Sequence, residues 1–251
     1  IDEFQRGGDA LVLALKRTMD LDRSSGQFLL AGSTRFVTMQ KLADTLTGRV
    51  GILELLPLSV GETLGVREAF VERCFDGVPT TGAQPLARGD YANLIARGGF
   101  PELVTGPEST RFRSAWADSY IATVTGVANV DQVASIRRHD VLRGLVDQIA
   151  ARSANELVIS DVARDLQTDP STVREHLDVL STLYLIRVVR GWSSSETTRA
   201  KRRPVVHLVD TALACHLLNQ TAESLSTIDS PWFGPLLESF VVAEVAKQIS
   251  F

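Results

Sequence analysis

Short apolar runs alternate with stretches of helical periodicity across residues 1–59, and this alternation constrains the fold more than any other feature. DALVLALKRTMD sets Leu11, Leu15 and Met19 at the i, i+3/i+4 spacing of one helix face, with Asp9 available as an N-cap. RSSG breaks that rhythm. QFLLAGST is then a continuous apolar run ending in small polar residues, the pattern of a strand buried on both faces. Helical spacing returns in VTMQKLADTLTG through Met39, Leu42, Ala43 and Leu46, with Gly48 placed as a C-terminal cap, and RVGILELLPLS reads as another strand. If Ile1 ends a strand, the order is βαβαβ. That predicts an α/β fold with a doubly wound parallel sheet, in which ligands bind beyond the carboxyl ends of the strands. Asp2, Glu3 and Ser33 all fall at such ends.

An isolated Asp-Glu pair is ordinarily two solvated acids. Here its place at a strand end gives it a chemistry: Asp2 can hold Mg²⁺ through water while Glu3 orients a water for attack on a γ-phosphate, the Walker B arrangement. Ser33, at the end of the next core strand, either senses the γ-phosphate or merely ends the strand. Arg49, between a helix and a strand, is either an arginine finger for a neighbouring subunit or a surface arginine.

In this order, IDEFQR, FLLAGSTRF, LTGRVGILELLPLS and ARGGFPE resemble bacterial AAA-type ATP-binding proteins. Those proteins carry a C-terminal domain of unknown function with winged-helix and restriction-endonuclease-like parts. The resemblance implies that Asp2 and Glu3 are Walker B acids and that the full-length protein binds ATP and Mg²⁺, hydrolyses ATP and forms a homo-oligomer. The sequence departs from the family in one respect. No G-x-x-x-x-G-K-S/T occurs in the 251 residues, so the loop that would cradle the phosphates is missing. The expectation is a chain truncated before Walker B and inactive by itself.

Four divisions follow: residues 1–64, the later part of an AAA-type domain; 65–135, a helical lid or connector; 136–203, a winged helix-turn-helix; and 204–251, the start of an incomplete restriction-endonuclease-like module. In 65–135, VREAFVERCF and STRFRSAWADSYIATV read as helices, and Gly98 and Gly99 permit a tight turn that Pro101 stiffens. In 136–203, Ser160 is placed to cap a short helix, QTDP makes a turn, Ser171 or Thr172 starts a second helix and YLIRVVRGW supplies a strand. Asp169, Glu175 and Asp178 outnumber Arg174 on the second helix. Positive charge gathers instead in Arg187, Arg190, Arg199, Lys201, Arg202 and Arg203, a basic wing that is either solvated or able to track a nucleic-acid backbone. In the tail, Asp210 reads as a helix cap, and no D-x(n)-E-x-K set assembles a nuclease metal site around Glu238.

The remaining composition narrows the function classes. A net charge of −4 gives no global attraction to nucleic acid, so such binding would rest on a local patch. Two distant cysteines without C-x-x-C spacing indicate neither a disulfide framework nor a zinc ribbon, which reads as a reducing cytoplasm. Four histidines lack ligand spacing, so no metal is assigned to protein ligands alone. No apolar run approaches the ~18 residues of a membrane span. Three functions stand: an ATPase; a DNA-associated regulator in which ATP is a switch or unused; and an interaction platform built on a degenerate nuclease-like end.

Overall fold

The computed structural model describes residues 1–32, 48–77, 85–131, 133–136, 138–195, 197 and 202–249. Ser33, the helix expected through Met39 and Leu46, Arg199 and Lys201 lie outside the described residues. The described residues are mostly helical, with a single two-stranded antiparallel sheet.

The N-terminal segment begins extended. The Ile1 amino group donates to the Leu29 carbonyl at 2.7 Å, and the Ala31 N–H donates to the Ile1 carbonyl at 2.8 Å. This exchange, one residue bonded to both flanks of its opposite number, is the bonding pattern of parallel strands. A short 3₁₀ turn, Phe4–Gly7, leads into helix α1, Gly8–Leu21. Gly7 occupies the N-cap, and Asp9 lies in the first turn rather than capping it. Phe4 and Val12 form a small apolar cluster with Leu11, Met19 and Leu30 packed against it. The doubly wound sheet differs from what is found here. Residues 27–32 and 50–56 run without regular ladders, and Leu29, Leu53 and Leu55 are 81%, 83% and 89% exposed. A run that apolar needs layers over both faces to form a buried strand, and here those faces are open.

The larger core starts further along. Helices α2 (Val60–Leu64), α3 (Phe70–Phe75), α4 (Arg88–Arg97), α5 (Pro101–Thr105), α6 (Thr110–Val124) and α7 (Val127–Val130) lead to α8, His139–Ala151. Val141, Leu142, Leu145, Val146 and Ile149 repeat at i, i+1, i+4, i+5, i+8, so one stripe of α8 is buried while Arg143 and Asp147 face outward and pair. Helix α9, Ile159–Asp165, ends where Gln167 takes a left-handed φ of 50° and Thr168 N–H closes onto the Ala163 carbonyl. Pro170 then opens α10, Pro170–Thr182, at a first-turn position where its missing N–H costs nothing. Ser160 and Ser171 lie inside their helices; the residues at the caps are Val158 and Asp169.

After α10 comes β1, Ile186–Val189, paired antiparallel with β2, Val205–Leu208, in the register Ile186↔Leu208 through Val189↔Val205. This ladder runs across the division expected at 203/204. The same core continues through α11 (Thr211–Leu217), α12 (Ala222–Ser226) and the first half of α13 (Phe233–Gln248), from Ala92 to Leu236. Leu145 is wholly buried at its centre, so Leu145→Ala should lower unfolding free energy by about 2–5 kcal/mol. Urea denaturation would read this as a lower midpoint at unchanged slope.

Candidate functional site

Asp2 and Glu3 follow the extended residue Ile1, and Gly32 follows the segment that Ile1 bonds to, so the ends of both segments meet at one edge. The Asp2 Oδ1 accepts the Glu3 N–H at 3.0 Å. Glu3 has φ 47° and ψ 41°, a left-handed backbone that costs a non-glycine residue roughly 1–2 kcal/mol, and its carboxylate lies 3.7 Å from Arg6 Nε. Arg49 turns back onto its own chain, where its Nη1 meets Asp20 Oδ1 at 2.5 Å and holds that carboxyl below its ordinary value. Arg49 and Gly32 also line an open cleft of about 1370 Å³ that reaches Tyr120 and Tyr184.

Adjacent carboxylates on an exposed edge suit Mg²⁺, which keeps much of its water and takes one or two carboxylates alongside substrate phosphates. Among the described residues no group of three or more His, Cys, Asp or Glu could hold an ion without such help. Ser33 is outside the described residues.

Of the basic residues singled out in the sequence, Arg187 is 3.8 Å from Glu54 and half-buried, tied to the segment after Arg49. Arg190, Arg202 and Arg203 are exposed near the open end of the β1–β2 ladder, while Arg199 and Lys201 are outside the described residues.

A second cluster joins distant parts of the chain. Asp210, 2% exposed, accepts the Gly99 N–H at 2.7 Å and, as the cap of α11, the Ala212 N–H at 2.8 Å. Lys247, 5% exposed, donates to the Leu58 carbonyl at 2.9 Å and to Glu244 Oε1 at 2.7 Å, and Glu244 Oε2 accepts the Val60 N–H at 2.8 Å. Leu58 N–H in turn donates to the Gly99 carbonyl at 2.8 Å. The glycines are needed for approach as well as for turning. A Cβ on Gly98, whose φ is +68°, would stand 2.0 Å from Asp210 Oδ1, and one on Gly99 would stand 2.1 Å from the Leu58 oxygen. The gap among these groups is about 10 Å³, the lower limit for one water. The sequence reading found Asp210 and the glycines but not their partners. The missed signal was Glu244 and Lys247, charges spaced i, i+3 in the otherwise apolar FVVAEVAK stretch of α13.

One serine–histidine pair invites a catalytic reading and does not sustain it. His207 Nδ1 is 2.9 Å from Ser239 Oγ, and both are buried. The Ser239 hydroxyl already donates to the Pro235 carbonyl at 3.0 Å, so the imidazole is the donor and cannot accept the serine proton.

Residues 1–64 match the family described as AAA domain, so the N-terminal segment is AAA-type, a nucleotide-binding class. Residues 88–224 match the family described as Domain of unknown function (DUF8612), and because that match covers more than half of the chain, the chain belongs to this family. It is 26% identical over 250 residues to Uncharacterized protein Rv2008c of Mycobacterium tuberculosis, and to the same extent to Uncharacterized protein Mb2031c of Mycobacterium bovis. All of this chain is covered in each comparison, but only 51% of the relative, so the chain spans about half the length of the curated relatives it matches. No solved structure matches the chain. No helix among the described residues is long and apolar enough to cross a membrane.

The buried cluster carries two expected outcomes. Lys247→Met leaves Glu244 and the Leu58 carbonyl without their donor in a buried setting and should destabilise the fold by about 3–5 kcal/mol in chemical denaturation. Asp210 has its pKa raised by burial, against the opposing pull of Lys247 and the two N–H donors. A folded-state value above the unfolded one means that its stabilising contribution is complete below the ordinary carboxylate range and is lost as pH rises through the raised value. The difference in stability between the wild type and Asp210→Asn, measured from acid to neutral pH, should therefore carry that slope.

Proposed function

We propose that residues 1–64 are the Walker B-onward part of an AAA-type ATP-hydrolysing domain, acting as an Mg²⁺-dependent ATPase in a protein of the relatives' full length. Residues 65–135 then act as a helical connector, and 136–203, with β2 as the return strand of the wing, as a winged helix-turn-helix. Residues 204–251 form the beginning of a restriction-endonuclease-like α/β module grown from that strand. The observation that carries the ATPase reading is the parallel bonding of Ile1 to Leu29 and Ala31, which brings Asp2 and Gly32 to one edge. Open α/β sheets bind ligands at such an edge.

Asp2 would hold Mg²⁺ through water, and the ion when bound would offset charge on the phosphates. Glu3 takes a proton from the attacking water and orients it; its left-handed backbone is the kind of local strain that concentrates at working sites. Ser33 senses the γ-phosphate. Arg49 serves a neighbouring subunit of a homo-oligomer, after exchanging Asp20 for phosphate oxygens. Without a phosphate-cradling loop among its residues, the 251-residue chain should turn over ATP no faster than buffer.

In a protein of the relatives' full length, Glu3→Gln should abolish turnover while leaving ATP binding intact. Arg49→Ala should lower turnover by roughly 10³ or more, as removal of such fingers does. Mixing the two variants should restore part of the activity, because some interfaces then pair an intact Glu3 with an intact Arg49. Steady-state phosphate release checks all three. Unchanged turnover in Arg49→Ala, or no rescue on mixing, removes the finger. No turnover at full length removes the ATPase and leaves the regulatory reading, in which the winged helix acts on nucleic acid and ATP is at most a switch.

A further inference from the structure

We infer that the residues leaving the open end of the β1–β2 ladder bind single-stranded nucleic acid without sequence preference, Trp192 stacking on an unpaired base while Arg190, Arg202 and Arg203 hold phosphates. This inference does not depend on ATP hydrolysis.

Trp192 is 76% exposed, three residues beyond the last residue of β1. Continuing the ladder register sets Arg190, Gly191 and Trp192 opposite Pro204, Arg203 and Arg202. A Cβ on Gly191 would stand 2.8 Å from Cδ and 2.9 Å from Cβ of Arg202, the residue next to its continued register partner. The stem of Arg202 thus lies across the glycine that precedes Trp192, and both chain segments leaving the ladder carry exposed arginines. Among the described residues none of Arg190, Arg202 and Arg203 has a carboxylate within ion-pair range. Elsewhere in the same region Arg138 pairs with Asp140, Arg152 with Asp165, Arg164 with Asp161 and Arg187 with Glu54. On a chain of net charge −4, three exposed guanidinium groups with no carboxylate partner among the described residues, close in the chain to an exposed indole, are a local imbalance that an anionic, ring-bearing partner would complete.

Two observations favour unpaired over duplex nucleic acid. Helix α10, the element that would enter a major groove, exposes Asp169, Glu175 and Asp178 against Arg174 alone, which repels a duplex backbone. An indole standing clear of the surface offers a flat face, which an unstacked base can use and a paired base inside a helix cannot. An anionic membrane would want several large apolar groups beside the cations, whereas Trp192 is followed by Ser193, Ser194 and Ser195.

The test uses the 251-residue chain and a fluorescein-labelled oligothymidylate of about 20 nucleotides, longer than the ~4–16-nucleotide sites of single-strand-binding folds. Anisotropy should show binding that weakens steeply with salt. Trp192→Ala should weaken it by about 5- to 150-fold, the loss of one stacked base, with the salt slope unchanged. Trp192→Phe should keep most of the affinity. The double variant Arg202→Ala/Arg203→Ala should instead reduce the slope of log K against log salt by about 1.4, roughly 0.7 for each lost phosphate contact. Circular dichroism and melting temperature check that each variant is folded. The inference is overturned by no binding, by tighter binding to a duplex of the same length, or by wild-type affinity in Trp192→Ala. It is equally overturned if polyglutamate competes as well as the oligonucleotide does, or if phosphatidylserine-containing vesicles sediment the protein while the oligonucleotide fails to bind.

Discussion

The buried contact between Lys247 and the Leu58 carbonyl holds together parts of the chain that sequence alone leaves far apart. An ammonium that is nearly dehydrated is tolerated only when its protons are taken up, and here a main-chain oxygen and the Glu244 carboxylate do so. Glu244 passes the constraint to the Val60 N–H, Leu58 passes it to Gly99, and Gly99 passes it to Asp210. The AAA-matched segment is thereby fastened to the glycine turn, the cap of α11 and the middle of α13 through oriented bonds rather than through apolar area. Such a joint is geometrically exacting, since oriented polar groups lose their partners when displaced by an ångström, whereas apolar surfaces can slide.

This joint also places the hairpin and the helices before it. The core from Ala92 to Leu236 is continuous, and β2 is both the partner of β1 and the lead-in to Asp210. A displacement of β2 would therefore reach Asp210 within two residues and Gly99 through one hydrogen bond. Glu54 and Arg187 make a second, weaker tie between the AAA-matched segment and β1, across 3.8 Å and partly open to water.

Sequence periodicity located most of the helices because burial on one face leaves a repeating mark, as in Val141, Leu145 and Ile149 of α8. The two helices α9 and α10 and the turn between them were legible for the same reason, and their caps were not. Ser160 and Ser171 look like caps by composition, yet the chain begins both helices earlier, with Pro170 and a left-handed Gln167 deciding the turn. Apolar runs such as QFLLAGST mark residues that strand pairing would bury, but a strand also needs neighbours, and composition does not supply them. At the candidate nucleotide edge, Asp2 and Glu3 were singled out by their type and their place after an apolar residue, and that Ile1 bonds to the segment 29–31 was not legible. Nor was Arg49's attachment to Asp20, because an ion pair between residues 29 apart leaves no periodic trace. Asp210 was found as a cap, while its larger task depended on Gly98 and Gly99 approaching it, a three-dimensional fact that two adjacent glycines only hint at. Trp192 passed unnoticed within a strand-like string, since alternation says nothing about where a hairpin ends.

The bond from Lys247 to Leu58 spans 189 residues and so also sets an order in time. During synthesis at ~5–20 residues per second, the Leu58 carbonyl would wait about 10–40 s before Lys247 is made and can supply the ammonium. In that interval the exposed leucines of the N-terminal segment lack this fastening and rest on the weaker ties, such as Glu54 to Arg187, which leaves the chain more open to proteases and to self-association. Within these 251 residues, a helix made late therefore fastens a segment made long before it.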